Sequence, residues 1–110
     1  MLRSSAAVLA ALAVAHGPAE AQGTSVRAGE KKAAACAPCH GRDGIASLPD
    51  APNLAGQNAT YFERALKEYR SGVRRNEVMS VAAKALTDED IRDLAAYYGA
   101  FRITVAPPGK

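Results

Sequence analysis

The chain has 110 residues, with 14 Lys and Arg against 11 Asp and Glu, a net charge of +3, and aromatic residues making up only 5% of the sequence. So mild a basic excess, with no clustered aromatic rings, excludes a nucleic-acid-binding domain. The length allows one small domain, a size at which burial alone is marginal and a disulfide, metal or cofactor often completes the core.

The first residues read as an export signal, residues 1–21. Arg3 supplies the positive start, Ala6 to Ala15 (AAVLAALAVA) an apolar run, and Ala19-Glu20-Ala21 a small-x-small cleavage site. The run is about half the roughly 20 residues needed to span a bilayer as a helix. No Cys follows the cut to take a lipid anchor. Cleavage after Ala21 removes one charge of each sign, Arg3 and Glu20, and also His16 and Met1. The mature chain, with no membrane span, then keeps Cys36, Cys39, His40 and Met79 as its only Cys, His and Met residues. It is expected to be periplasmic or otherwise exported, with one domain over 22–102 and a flexible tail over 103–110.

Val26, Gly29, Ala33 and Cys36 fall on one helical stripe, and Thr24 or Ser25 is the expected N-cap, so a first helix runs into the cysteines. Gly41 to Gln57 (GRDGIASLPDAPNLAGQ) has no sustained period and reads as a long loop. Asn58 caps a second helix in which Phe62, Ala65, Leu66 and Tyr69 recur at helical spacing, with Ser71-Gly72 as its end. Arg74 to Ser80 is irregular, and Val78 to Ala85 allows a short helix. Thr87-Asp-Glu-Asp90 resembles a capping box and opens the last helix, buried along Ile91, Leu94, Ala95 and Tyr98. Basic residues gather at Arg64, Lys67, Arg70, Arg74 and Arg75, and acids at Asp88, Glu89, Asp90 and Asp93; both groups read as solvated helix faces. No segment alternates with period two, so the fold class is all-α.

Two long irregular stretches are out of proportion to three or four short helices. Loops beyond about 12–15 residues are uncommon unless they serve a site. A large, flat apolar ligand wrapped by both loops accounts for them.

Cys36-Ala-Pro-Cys39-His40 is the chemical centre of the sequence. A zinc site takes three or four protein ligands, with its pairs well separated, and no second knuckle follows here. A thioredoxin-like dithiol needs its first Cys at a helix start after a strand, which this sequence lacks. A disulfide between Cys36 and Cys39 closes too small a loop to constrain the unfolded chain much, and it leaves His40 unused. Covalent haem attachment uses all three residues: C-x-x-C-H places two thiols for the two vinyl groups and the next imidazole for the iron. An export signal is the context in which that attachment occurs.

Iron held by His40 needs a sixth ligand or keeps an open face. Met79 is the candidate, about forty residues on and set among the polar residues of Arg75-Asn-Glu-Val-Met79-Ser. A lone Met as core filler is the alternative.

From about Val26 to Phe101 the chain resembles the class I c-type cytochromes, within them the single monohaem domain of the cytochrome c4 and c553 type. The resemblance rests on Cys36-Ala-Pro-Cys39-His40-Gly41, Pro52-Asn-Leu-Ala-Gly56-Gln57, Tyr69-Arg-Ser-Gly72 with Arg74 to Met79, and Leu86-Thr-Asp-Glu-Asp-Ile91 running into Leu94 to Tyr98. It implies the cytochrome c fold around one haem c per chain, with Cys36 and Cys39 as its covalent attachment points and His40 and Met79 as axial ligands. It also implies that the Pro52 carbonyl accepts the His40 Nδ1 proton, and that crossing of the first and last helices sets Gly29 near Leu94 and Tyr97.

The implied function is one-electron transfer by a carrier, not an enzyme. The expected partners are redox donors and acceptors such as a membrane oxidase or an exported dehydrogenase. Two alternatives stay open: a haem subunit of an exported dehydrogenase complex, and an open-site haem peroxidase or gas-binding protein.

Overall fold

The structure, a computed structural model, describes residues 1, 7–15 and 17–109. Arg3, Ala6 and His16 of the expected leader and Lys110 of the tail lie outside the described residues. Ala7 to Ala15 has no regular secondary structure, and Val8, Leu9, Leu12 and Val14 project into solvent. Among the described residues no helix is long and apolar enough to cross a membrane.

The fold is all-α, as expected. α1 spans Pro18–Lys32 and passes through a 3-10 turn, Ala33–Ala35, into the four-residue α2, Ala37–His40. α3 follows at Ala59–Ser71, the single turn α4 at Met79–Ala82, and α5 at Asp88–Gly99.

α1 starts earlier than the stripe implied. Its N-cap is Gly17, not Thr24 or Ser25, and Pro18 opens its first turn, where a missing N–H costs nothing and the fixed φ suits the helix. Ser25 turns its hydroxyl across to α5 instead of back along its own helix. The other boundaries follow local chemistry. Asn58 accepts from the Tyr61 amide at 3.0 Å, and Gly72, at φ 86°, ends α3 in the left-handed conformation. Thr87 and Asp90 form a reciprocal capping box at the start of α5, with bonds of 3.1 and 2.9 Å. The short helix expected over Val78 to Ala85 is confined to Met79–Ala82.

α1 packs along α5, and α3 also packs against α5. Ile91, Leu94 and Tyr98 are fully buried at the centre, joined by Ala33 of the 3-10 turn, Phe62 and Leu66 of α3, Ala83 and Ala95. The first contact is close because Gly29 has no side chain: a Cβ there would overlap the Asp93 main-chain carbonyl and come within 2.7 Å of the Tyr97 Cβ.

Asp93 is not a solvated acid. It is only 7% exposed, and it receives Ser25 Oγ at 2.5 Å and Lys32 Nζ at 2.6 Å, both from α1. Lys32 also reaches Asp90 at 2.9 Å. Burying apolar surface between α1 and α5 brings these groups together, and a carboxylate enclosed there needs paired donors. Arg70 leaves the basic group in the same way. It donates to the Leu86 carbonyl at 2.9 Å and to Asp88 at 2.6 Å, tying α3 to the approach of α5.

Candidate haem site

The two cysteines occupy a short helix of their own. Cys36 stands at its N-cap, Cys39 and His40 lie in its turn, and Gly41 ends it at φ 81°. Both thiols are free and half-buried. Burial pushes the Cys36 thiol above its usual range.

The loop from Gly41 to Gln57 folds back under this turn. Ser47 and Leu48 donate their amides to the Cys39 carbonyl, at 3.0 and 3.3 Å, and Leu54 and Ala55 both donate to the Gly44 carbonyl. Asn53 closes the loop by accepting the Ala46 amide at 2.7 Å. Gly56 then donates to the Tyr98 carbonyl at 2.8 Å, fastening the loop to α5. The result carries the Pro52 carbonyl to 2.8 Å from His40 Nδ1. An oxygen that can only accept fixes the proton on Nδ1 and leaves Nε2 as the nitrogen for a metal.

Met79 comes from the other long segment. It is half-buried and packs on the central core, as do Cys36 and Leu54. The structure thus gathers Cys36, Cys39, His40 and Pro52 into one local unit, and it brings Met79 to the same core by a separate route. Among the described residues no group of three or more His, Cys, Asp and Glu side chains converges as a metal-ion site.

The surroundings fit a large apolar group bonded to the cysteines. Ile45 and Leu48 of the first loop and Val78 and Val81 beside Met79 expose apolar side chains that the protein core does not cover. Tyr98 is 0% exposed, and among the described residues its hydroxyl has no hydrogen-bond partner better than the neighbouring Cys36 sulfur. Burial, with the Cys36 sulfur next to it, pushes this phenol far above its ordinary range. A fully buried phenol with only a weak thiol partner is unusual inside a finished core. It is understandable at the wall of a cofactor site.

The family model described as "Cytochrome C oxidase, cbb3-type, subunit III" matches residues 16–97. The chain belongs to this family and is a class I monohaem c-type cytochrome. Cytochrome c-554(548) of Halomonas halodenitrificans is 50% identical over 74 residues, covering 64% of this chain and 89% of that protein. The cytochrome subunit of sulfide dehydrogenase from Chlorobaculum tepidum is 39% identical over 71 residues, 64% of each chain. The crystal structure of reduced cytochrome c4 from Pseudomonas stutzeri superimposes with a TM-score of 0.69 at 28% identity, over 73% of this chain and 50% of that one. This cytochrome therefore spans about half of the c4 structure that it resembles, and it carries one C-x-x-C-H motif. Members of the family bind haem c covalently and transfer electrons, and this chain is a haem c electron-transfer protein of that kind.

Sequence reasoning placed the motif residues but missed their supports. Asn53 had a visible signal, since Asn beside Pro in a loop commonly accepts nearby backbone amides. Asp93 had none, because its partners lie 61 and 68 residues away.

Proposed function

We propose that the mature chain is an exported, non-enzymatic one-electron carrier, with thioether bonds at Cys36 and Cys39 and with His40 and Met79 as axial ligands. Haem c bound in this way supplies Fe(III)/Fe(II) cycling. The chain's residues do the rest. His40, held by Pro52, presents Nε2 in one fixed orientation, and the core residues around Cys36 and Tyr98 exclude water from the buried side. His40 and Met79 would be the residues that hold the iron, and a thioether donor would favour a raised potential. The exposed Ala7 to Ala15 segment, with no regular secondary structure, supports its reading as part of a leader, although a cut after Ala21 would also remove Gly17 and the first turn of α1.

The observation that carries this reading is the 2.8 Å bond from His40 Nδ1 to Pro52 O beside the paired thiols. The test is the absorption spectrum of the oxidised holoprotein. A long-wavelength Met–Fe(III) charge-transfer band is expected, lost in Met79→Ala, which should also gain peroxidase activity. A high-spin wild-type spectrum, or full peroxidase activity in the wild type, overturns Met79 ligation and favours the open-site alternative.

The likeness to the sulfide dehydrogenase cytochrome subunit favours a second reading, in which the chain is the haem subunit of an exported dehydrogenase. Size-exclusion chromatography of natively expressed protein separates the two. A free shuttle elutes alone, and a subunit elutes with its partner. A free shuttle would meet its redox partners in brief, weak contacts.

A further inference from the structure

Met79 is half-buried at the first position of α4, a helix of a single turn on a segment most of whose other residues are exposed. A four-residue helix has too few internal bonds to hold itself. Something else must fix the backbone from which the thioether projects.

Asn76 does this on both sides. Its Oδ1 accepts the amides of Val78 at 3.0 Å and of Met79 at 2.9 Å. Its own amide donates to Ser80 Oγ at 3.0 Å, and its carbonyl accepts the Ser80 amide at 3.0 Å. Met79 is thus enclosed between two residues that bond each other reciprocally. Met79 itself and Ala83 pack this segment onto the core, and α4 also lies against α3.

We propose that Asn76, seconded by Ser80, is the positioning residue for the sixth ligand, setting how often Met79 occupies its place over the iron. This rests on the reading of Met79 as axial ligand. Asn76 touches neither haem nor iron; it acts by holding the Met79 amide, so its loss favours the detached state of the Met79 segment. Losing a cap of this type shifts such an equilibrium about fivefold.

The readout is competition by exogenous imidazole for the sixth position of the oxidised holoprotein, followed through the charge-transfer band. Apparent imidazole affinity scales with the fraction of molecules whose Met79 is detached. Asn76→Ala is expected to raise that affinity about fivefold, with urea midpoints of helix unfolding measured alongside. Asn76→Asp retains the acceptor oxygen and is expected to restore the wild-type affinity, which a general loss of stability would not explain. Ser80→Ala removes the weaker half of the pair and is expected to give a smaller rise; it keeps the test decisive where Asn76→Ala does not fold.

Wild-type affinity in both Asn76→Ala and Ser80→Ala overturns the proposal, as does failure of Asn76→Asp to rescue. Met79→Ala separates this from failure of the ligand assignment. If Met79→Ala has the wild-type spectrum and imidazole affinity, Met79 is not the ligand and both readings fall. If it differs while the Asn76 and Ser80 variants do not, only the positioning role falls.

Discussion

Gly29 on α1 meets the Asp93 main-chain carbonyl on α5 with no room for a methyl group between them. This contact sets the separation of the two helices that close the fold, and it joins the first quarter of the chain to its end. Replacing Gly29 by Ala gains helix propensity, at most about 1 kcal/mol. Against that, the new Cβ collides with backbone, which cannot rotate aside as a side chain end would. We expect a net loss of about 1–3 kcal/mol, as for overpacking of a close contact, and a larger loss for Gly29→Val. Urea unfolding measures it, and an unchanged midpoint would show that the helices separate freely.

The Lys32 cluster makes acid stability predictable in sign. The Lys32 ammonium and the Ser25 hydroxyl hold the Asp93 carboxyl below its usual range. The Thr87 amide, and then Lys32, bring Asp90 down to about 2. Both folded values lie below the unfolded value near 3.9, so their stabilisation is complete above about pH 4 and is lost as pH falls through the folded values. Lys32 has the opposite sign. Asp93 first and then Asp90 raise its pKa, so its contribution fades only as pH rises through that raised value. Lys32→Met is expected to move the acid-unfolding midpoint to higher pH, followed by far-ultraviolet circular dichroism between pH 1.5 and 6. A midpoint that stays put would mean that the cluster is energetically silent.

Arg70 is predicted to matter more than the exposed cations near it. Its guanidinium serves the Leu86 carbonyl and Asp88 together, a forked geometry that Lys cannot reproduce. Arg70→Ala should cost about 1–2 kcal/mol, by analogy with other charge-assisted bonds, and Arg70→Lys should recover only part of that. Arg64→Ala, at a mostly exposed helical pair with Glu68, should fall within about 0.5 kcal/mol of wild type. Thermal midpoints of the three variants rank them, and equal values for Arg70→Ala and Arg64→Ala would contradict the structure.

Asn53 offers a local test of the loop that carries the Pro52 carbonyl. Asn53→Ala releases the Ala46 amide, and amide hydrogen exchange should accelerate at Ala46 and at Leu54 while α3 and α5 keep their protection. Uniform acceleration across the molecule would show instead that the loop and helices open as one unit.

Much of the fold could be read from the sequence because its signals are local. Asn58 with Gly72, and Thr87 with Asp90, are end markers whose geometry lies within a few residues, and the buried stripes of α3 and α5 follow from spacing alone. The start of α1 was misplaced because Thr24 and Ser25 suit an N-cap as well as an interior position. What decides is Pro18 upstream, together with an acceptor for Ser25 that the last helix supplies. Asp93 was misread for a related reason: in an acidic run, nothing nearby distinguishes the one carboxylate that faces another helix. At the candidate site, the motif named Cys36, Cys39 and His40, whereas Asn76 and Tyr98 depend on where backbone amides and the turn carrying the cysteines come to lie.

The clasp between α1 and α5 has a consequence for how the protein comes apart. Both segments proposed to bring axial ligands, the turn ending at His40 and the stretch around Met79, lie along the chain between those two helices, like beads on a necklace fastened at one catch. Parting the catch at Gly29 and Asp93 frees the two together. Heat or urea should therefore extinguish the helical signal and the methionine-to-iron colour in a single step, and a protein depleted of its last helix should have neither.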